Sequence, residues 1–306
     1  MTCAQFPGQQ GRRFQLSTSF TGLRRPNLAA FASVSSDPED YGVIQQLANN
    51  GEMTLRIAYS LFAQKAGNEL ADYTRWIGMT KPGEGTDMLR LAGAGENLVA
   101  SAADFENFLQ PRPDLKPVME SELEGVVRSL VTARWSFRIH ATYDETIERF
   151  LNVFEHVNRD VPFNGLRWFF DHAETVSERN LERIAALQGG IATQHRMAYQ
   201  GEYFIRRYGK DAVKKRPPLK KMLQMGLPVG AGTDGTRVAS YHPWTCLWWM
   251  VTSKTVGGTI LHDEVDRLSR EEALRLFTIG SAWFSGEQDI KGQLKPGAFA
   301  DMAVLS

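Results

Sequence analysis

Residues 135–195 decide the fold, because they contain three short apolar runs separated by two helical patterns. The runs are WSFRIH (135–140), LRWFFDH (166–172) and GIATQH (190–195). The first two flank an amphipathic stretch, Asp144–Val157, and the last two flank a second helical pattern, Ser177–Leu187, which ends at a glycine pair. The apolar face of the first helix holds Ile147, Phe150, Leu151, Phe154 and Val157. Strands that alternate with helices in this way predict a parallel sheet.

The same alternation extends outward in both directions. It predicts the further helices Asp37–Gly51, Glu120–Ala133 and Pro218–Met225, the strands Met53–Ser60 and Leu227–Asp234, and a helix that begins with the capping box Ser269–Glu272. Residues 104–117, which contain PRPDLKP, indicate a loop. A barrel and a doubly wound open sheet both alternate in this way, so the alternation does not choose between them.

Composition excludes some classes of protein. Lysine plus arginine and aspartate plus glutamate number 35 each, which gives no electrostatic case for nucleic acid or an anionic membrane as partner. The two cysteines, Cys3 and Cys246, cannot form a disulfide framework. No apolar run approaches a membrane span, and residues 1–25 lack the apolar core of a signal peptide. We expect residues 1–36 to be an irregular lead-in and the protein to be cytoplasmic.

Four consecutive predicted strands end on a residue that can bind metal or transfer protons. These residues are His140, His172, His195 and Asp234, separated by 32, 23 and 39 residues. In a parallel barrel the carboxyl ends of the strands meet at one rim, so these side chains would converge there. Imidazole and carboxylate groups bind zinc, and bound zinc activates water for hydrolysis while a carboxylate transfers the proton. The sequence therefore favours His140 and His172 as metal ligands and Asp234 as the acid–base residue.

Several of these residues have other interpretations. For His195, substrate contact, metal ligation and structural packing remain equally open, and Asp234 also suits a turn before Gly235. Arg196 and His242 are further candidates for substrate contact, although a loop role suits His242 better. The other two histidines, His156 and His262, are expected to be solvated. For Trp244, Trp248 and Trp249, buried packing is favoured over a border to an apolar substrate.

The motifs resemble those of the amidohydrolase superfamily, in the branch with the type-3 amidohydrolase domain. The matching stretches are FRIHATYDETIERFL, RWFFDHAETVSERNLERI, GLPVGAGTDGTRVASYHPW and LSREEALRLFTIGSAWFSGEQDIKGQLKPGAFADMAVLS. The resemblance implies an α/β fold, a partial (β/α)8 TIM-like barrel of about strands three to eight over residues 37–288. Residues 289–306 would begin a composite β-sandwich, through a strand at Phe299–Leu305.

The resemblance also implies chemistry: hydrolysis of carbon–nitrogen bonds in small amide-like substrates with a divalent metal, zinc first, as one or two ions. His140 would be the ligand on strand five and His172 the ligand on strand six. Asp234 on strand eight would be the acid–base residue and a further metal ligand. Self-association into a homo-oligomer is one expectation, and neither nucleic acid nor a membrane is expected as a partner.

The sequence departs from the family pattern in two places. The family opens with a His-x-His metal motif, which occurs nowhere in this chain. Many members also have a carboxylated lysine on strand four, whereas Met88–Glu96 has no lysine; Arg90 lies near the expected place and Glu96 is a candidate acidic ligand. We therefore expect a fragment that binds metal weakly and that is poorly soluble or dependent on a partner. The alternative function is a catalytically incomplete, partner-binding subunit.

Overall fold

The computed structural model describes residues 29–33, 41–63, 65–105, 107–213, 216–235 and 239–302. In this part of the chain, seven strands form one sheet in sequence order, and every neighbouring pair is parallel. The strands are β1 (Ala29–Ser33), β2 (Arg56–Leu61), β3 (Leu89–Ala94), β4 (Phe137–Ala141), β5 (Trp168–His172), β6 (Gly190–Thr193) and β7 (Val229–Ala231). The predicted partial barrel of alternating strands and helices is confirmed.

Helices follow most of the strands, as the βα pattern predicts. They are α1 (Gly42–Asn49), α2 (Glu69–Ile77), α3 (Met119–Thr132), α4 (Asp144–Asp160), α5 (Glu178–Ala186), α6 (Met197–Tyr208), α7 (Lys210–Val213), α8 (Leu219–Gln224), α9 (Pro243–Thr252), α10 (Arg270–Arg275) and α11 (Ser281–Phe284). The Ser269–Glu272 capping box forms as predicted, with both reciprocal hydrogen bonds.

The outer face of the sheet is buried by an aromatic cluster under α4. The helix buries the predicted apolar face, and its Phe154 contacts the rings of Phe137, Trp168 and Phe170 from β4 and β5. These ring centroids lie 5.1–5.8 Å apart, a separation typical of favourable aromatic pairs. This packing fixes β4 and β5 side by side, with His140 paired to Asp171 in the sheet register.

Strand β1 lies inside the segment that was expected to be irregular, so that expectation is wrong for residues 29–33. The strand pairs in parallel with β2, from Ala29 opposite Arg56 to Ser33 opposite Ser60. Its sequence, AAFAS, is too short to show a period, and its partner lies more than twenty residues away along the chain. The first residues of the predicted helix, 37–40, fall outside the described residues, and α1 begins at Gly42.

The predicted sandwich strand is wrong for its described part, because residues 289–302 form turns and bends without a strand. Two residues of that stretch contact β2 through side chains instead. The Arg56 Nε atom donates to Asp301 Oδ2 at 2.8 Å, and its guanidinium lies 3.9 Å from the Phe299 ring centroid. Nearby, Lys291 and Glu287 form a buried ion pair at 2.6 Å. Residues 303–306 fall outside the described residues.

Candidate metal centre

Three side chains that can bind a metal meet at the carboxyl ends of β3, β4 and β5. Glu96, His140 and His172 each offer a ligand atom, and these atoms lie within 4.8 Å of one another. Glu96 Oε1 lies 2.7 Å from His140 Nδ1 and 3.3 Å from His172 Nε2, while the two imidazole centroids are 4.3 Å apart. Both histidines are buried. The structure thus brings together His140 and His172 as the sequence analysis predicted, and it adds Glu96.

A buried arginine supports this cluster. The Arg138 guanidinium lies 3.2 Å from Glu96 Oε2, and its Nε donates to Asp171 Oδ2 at 2.6 Å. Burial alone would raise the pKa of Glu96, but the hydrogen bonds from His140 and His172 and the charge of Arg138 hold that pKa well below its usual value. Glu96 therefore remains a carboxylate, which is the form that binds a metal.

Backbone conformation places two members of the cluster. His172 has a φ of 79°, in the left-handed region that non-glycine residues adopt rarely and mostly where the surrounding structure requires it. Before Glu96, Gly95 has a φ of 111°, and a Cβ there would lie 2.1 Å from the Arg138 carbonyl oxygen. Only glycine lets β3 approach β4 so closely. Arg138 and His140 face the same side of β4, because they lie two residues apart on the strand. Glu96, which follows Gly95, consequently reaches His140.

Asp234 follows β7 and is half-buried, with a φ of 48°. Its carboxylate is not part of the group of three whose ligand atoms lie within 4.8 Å of one another. Its negative charge nevertheless helps raise the pKa of Arg138 against the effect of burial, together with the charges of Asp171 and Glu96. Next to it, Gly235 packs so tightly on Tyr241 that a Cβ would lie 2.4 Å from the Tyr241 Cα. Asp234 thus shares an electrostatic environment with the cluster.

His195 follows β6 and is fully buried. Among the described residues, neither of its ring nitrogens has a hydrogen-bond partner. Its ring makes an edge contact with Tyr199, with centroids 5.5 Å apart. Beside it, Gln194 donates to the buried Glu174 at 2.9 Å. His195 does not join the metal-binding group, so of the three interpretations metal ligation has no support from the geometry.

The buried imidazole of His195 should make the stability of the protein depend on pH. Burial lowers its pKa from 6.5 to about 4. The folded state therefore keeps the ring neutral, and its contribution is complete above pH 6.5 and is lost as the pH falls toward 4. Between pH 7.5 and 4.5, we expect the free energy of unfolding in urea to fall by about 2–3 kcal/mol less for a His195→Phe variant than for wild type. The control is a substitution of the exposed His156, His156→Phe, whose free energy of unfolding should change with pH as that of wild type does. If the free energy of His195→Phe also falls as steeply as that of wild type, the buried His195 is not the group responsible.

The remaining candidates lie in different environments. The Arg196 side chain is buried at the start of α6, whereas His242 is exposed and precedes α9. His262 is buried, so its predicted solvation is wrong: its Nδ1 lies 2.8 Å from Ser253 Oγ and its Nε2 lies 2.8 Å from the Arg216 carbonyl oxygen. His156 is half-exposed, as predicted.

The tryptophans of α9 divide between two faces. Trp249 is buried, as predicted for all three, but Trp244 and Trp248 are 37% and 40% exposed, so the prediction is wrong for these two. Trp244 and Trp248 lie four positions apart on the helix, and they therefore share its outer side.

A cleft of about 450 Å³ lies at the amino ends of the strands, on the opposite side of the barrel from the cluster. Its lining comes from the residues that precede β5, β6 and β7, among them Arg167, Gly189 and Pro228. Ligands of parallel α/β folds bind at the carboxyl ends of the strands, and this cleft lies at their amino ends. It is therefore not part of the candidate metal centre.

The donor set of the cluster fits a divalent metal. Two imidazoles and one carboxylate are a ligand set found in catalytic zinc sites, in which a fourth position remains open. With bonds of about 2.0 Å, tetrahedral geometry separates two ligand atoms by about 3.3 Å. The ligand atoms of Glu96, His140 and His172 all lie within 4.8 Å of one another, so small side-chain adjustments would let them share one ion.

The fold and the cluster together define a class, that of parallel α/β barrels with a candidate metal centre at the carboxyl ends of the strands. A family model described as "Amidohydrolase family" matches residues 21–306, and the chain belongs to this family. Among curated proteins, it is 28% identical over 171 residues to the amidohydrolase YtcJ of Bacillus subtilis, which covers 55% of this chain and 32% of that protein. It is 27% identical over 169 residues to an N-substituted formamide deformylase of Arthrobacter pascens, covering 55% and 31%.

Solved structures show the same fold. An uncharacterised metal-dependent hydrolase from Pyrococcus horikoshii superposes with a TM-score of 0.68 at 20% identity, covering 88% of this chain and 54% of that one. The atrazine chlorohydrolase TrzN from Arthrobacter aurescens, complexed with zinc, superposes with a TM-score of 0.54 at 14% identity, covering 89% and 58%. The match thus spans about a third of the curated relatives and about half of these structures. In the described part of this chain, no helix is long and apolar enough to cross a membrane.

Proposed function

We propose that this chain contains the metal centre of a hydrolase that cleaves carbon–nitrogen bonds in small, non-peptide amide-like substrates. The observation that carries the proposal is the meeting of Glu96, His140 and His172 at the carboxyl rim of the sheet. In this proposal the three residues hold a divalent metal, zinc first. The formamide deformylase among the relatives and the zinc-containing chlorohydrolase among the structural neighbours support this choice of chemistry and metal.

A metal bound here would supply a Lewis acid and lower the pKa of a water molecule. Proton transfer and the orientation of the ligands would depend on side chains of the protein. Asp234 would accept a proton at a carboxylate oxygen as the new carbon–oxygen bond forms, and would donate it to the nitrogen that leaves when the carbon–nitrogen bond breaks. Arg138 bonds to Glu96 Oε2 and Asp171, so it keeps Glu96 Oε1 directed toward the two imidazoles. Of the three open interpretations of His195, structural packing or substrate contact suits its burial.

The expectation of weak metal binding followed from the missing His-x-His motif, at a stage when Glu96 was only a candidate ligand. With Glu96 the chain provides three donors, the number that protein residues supply in catalytic zinc sites. We therefore expect the full chain to bind one equivalent of zinc in equilibrium dialysis, and a strong chelator to remove it. With zinc bound, it should release amine from at least one member of a panel of formamides, amides, ureas and cyclic imides. A chain that retains no zinc and releases no amine contradicts the proposal.

A second candidate is a partner-binding subunit without catalysis of its own. It is the alternative that the sequence analysis gave for these 306 residues, which contain no His-x-His motif. The same experiment separates the two candidates. Stoichiometric zinc binding without turnover of any panel member supports the second, whereas turnover that a chelator abolishes supports the first.

A further inference from the structure

The loop after β3 is fixed by a buried aspartate at one end. Asp104 is fully buried, and its Oδ2 accepts hydrogen bonds from the backbone N–H groups of Thr142 and Tyr143, at 3.0 and 3.1 Å. The Thr142 hydroxyl donates to the Asp104 carbonyl oxygen at 3.0 Å. These three bonds attach the loop to the end of β4, directly beyond His140, because unpaired buried N–H groups would be costly.

A buried aromatic residue fixes the same loop four residues later. Phe108 is fully buried between the rings of Phe204, 5.0 Å away, and Tyr143, 6.1 Å away, both in edge contacts. Its backbone N–H donates to Gln200 Oε1 at 3.3 Å. The position of Phe105, between these two attachments, is therefore set by the fold.

Phe105 projects into solvent from this fixed position. It is 66% exposed, and its ring lies 5.2 Å from the His140 imidazole, at an interplanar angle of 62°. A single exposed apolar side chain is ordinary on a protein surface, but this one lies beside the imidazole of a candidate metal ligand. A ligand bound at the cluster would therefore meet its ring. The ring packs against the imidazole of a candidate metal ligand, while most of its surface remains available to another molecule.

We propose that Phe105 is a specificity-determining residue that forms the apolar wall of the substrate site, selecting amide-like substrates with an aromatic or bulky alkyl substituent near the scissile bond. The inference rests on the proposed function, since it takes His140 as a metal ligand. A substrate whose carbonyl group lies at the cluster brings its substituent to the exposed ring. Aromatic groups prefer edge-to-face or offset contacts at this range of distances. Contact also removes water from the neighbouring polar groups.

The test compares two substrates of equal chemistry and different size, N-benzylformamide and N-methylformamide, on the zinc-loaded full chain. In Phe105→Ala, the KM for the benzyl substrate should rise about tenfold with kcat almost unchanged, whereas both constants for the methyl substrate should stay the same. Phe105→Tyr should restore the low KM. The matched control is Leu109→Ala, which removes another exposed apolar side chain from the same loop.

A binding measurement keeps the inference separate from catalysis. N-benzylmethanesulfonamide resembles the benzyl substrate but is not hydrolysed, and its affinity can be measured by titration calorimetry. Tighter binding to wild type than to Phe105→Ala, by about tenfold, supports the apolar wall even when no formamide is hydrolysed, in which case only the proposed function fails. Equal affinities in wild type, Phe105→Ala and Leu109→Ala overturn the inference, as does an absence of binding to wild type. Circular dichroism should show unchanged folding, because the substituted side chains are exposed.

Discussion

Replacing Glu96 by glutamine should lower the zinc affinity of the chain by at least about 100-fold. Loss of an outer-shell partner alone reduces metal affinity by about 10–100-fold, and Glu96 is proposed to bind the metal directly. The substitution keeps the size of the side chain and removes the charge that lies between the two imidazoles and Arg138. Zinc affinity would be measured by competition with a chromogenic chelator. Hydrolysis, where wild type shows it, should fall in parallel because the metal is lost.

The control for this experiment is Glu271→Gln, which makes the same chemical change on the exposed face of α10, where Glu271 pairs with Arg275. It should bind zinc like wild type. Circular dichroism and thermal unfolding of the metal-free proteins separate loss of a ligand from loss of the fold. Wild-type affinity in Glu96→Gln would remove Glu96 from the centre and leave the two histidines without a third donor.

His140 and His172 could be predicted because each ends an apolar strand, and strand ends are visible in sequence. Glu96 was only a candidate, because its role depends on the close approach of β3 and β4 at Gly95, a contact between segments more than forty residues apart. The same limit applies to Arg138. On sequence it is one polar residue in a strand, and only the fold brings Glu96 and Asp171 to its two sides.

The errors have a related cause, since each depends on contacts that are distant along the chain. His262 lies among polar residues, which indicated solvation, yet the ring is buried. Its Nε2–H donates to the Arg216 carbonyl oxygen and its Nδ1 accepts from the Ser253 hydroxyl. Phe299 and Asp301 have the alternation of a strand, but the Arg56 side chain binds both of them. Local pattern predicted most of the strands and helices, although it missed β1. It did not predict which side chains pair across the sheet.

Replacing Asp234 by asparagine should reduce hydrolysis by about 10²–10⁴-fold while zinc affinity changes little. General acid–base catalysis contributes about this factor, and an amide cannot accept and return the proton. The sequence analysis gave Asp234 two roles, acid–base residue and metal ligand, and we propose the first. Its charge acts on Arg138, but its carboxylate is outside the group of Glu96, His140 and His172. We therefore expect a loss in kcat without a loss of metal.

The measurement is kcat on the best substrate of the panel, together with the zinc content of the same protein sample. Asp263→Asn, on an exposed loop, is the matched control and should keep wild-type activity. If Asp234→Asn loses zinc in proportion to activity, Asp234 is a ligand and the centre has four protein donors. If it keeps both zinc and rate, Asp234 has no part in the chemistry, and the proton must move through another group at the rim. Only a loss of rate with full zinc content agrees with a three-donor centre and a separate acid–base residue.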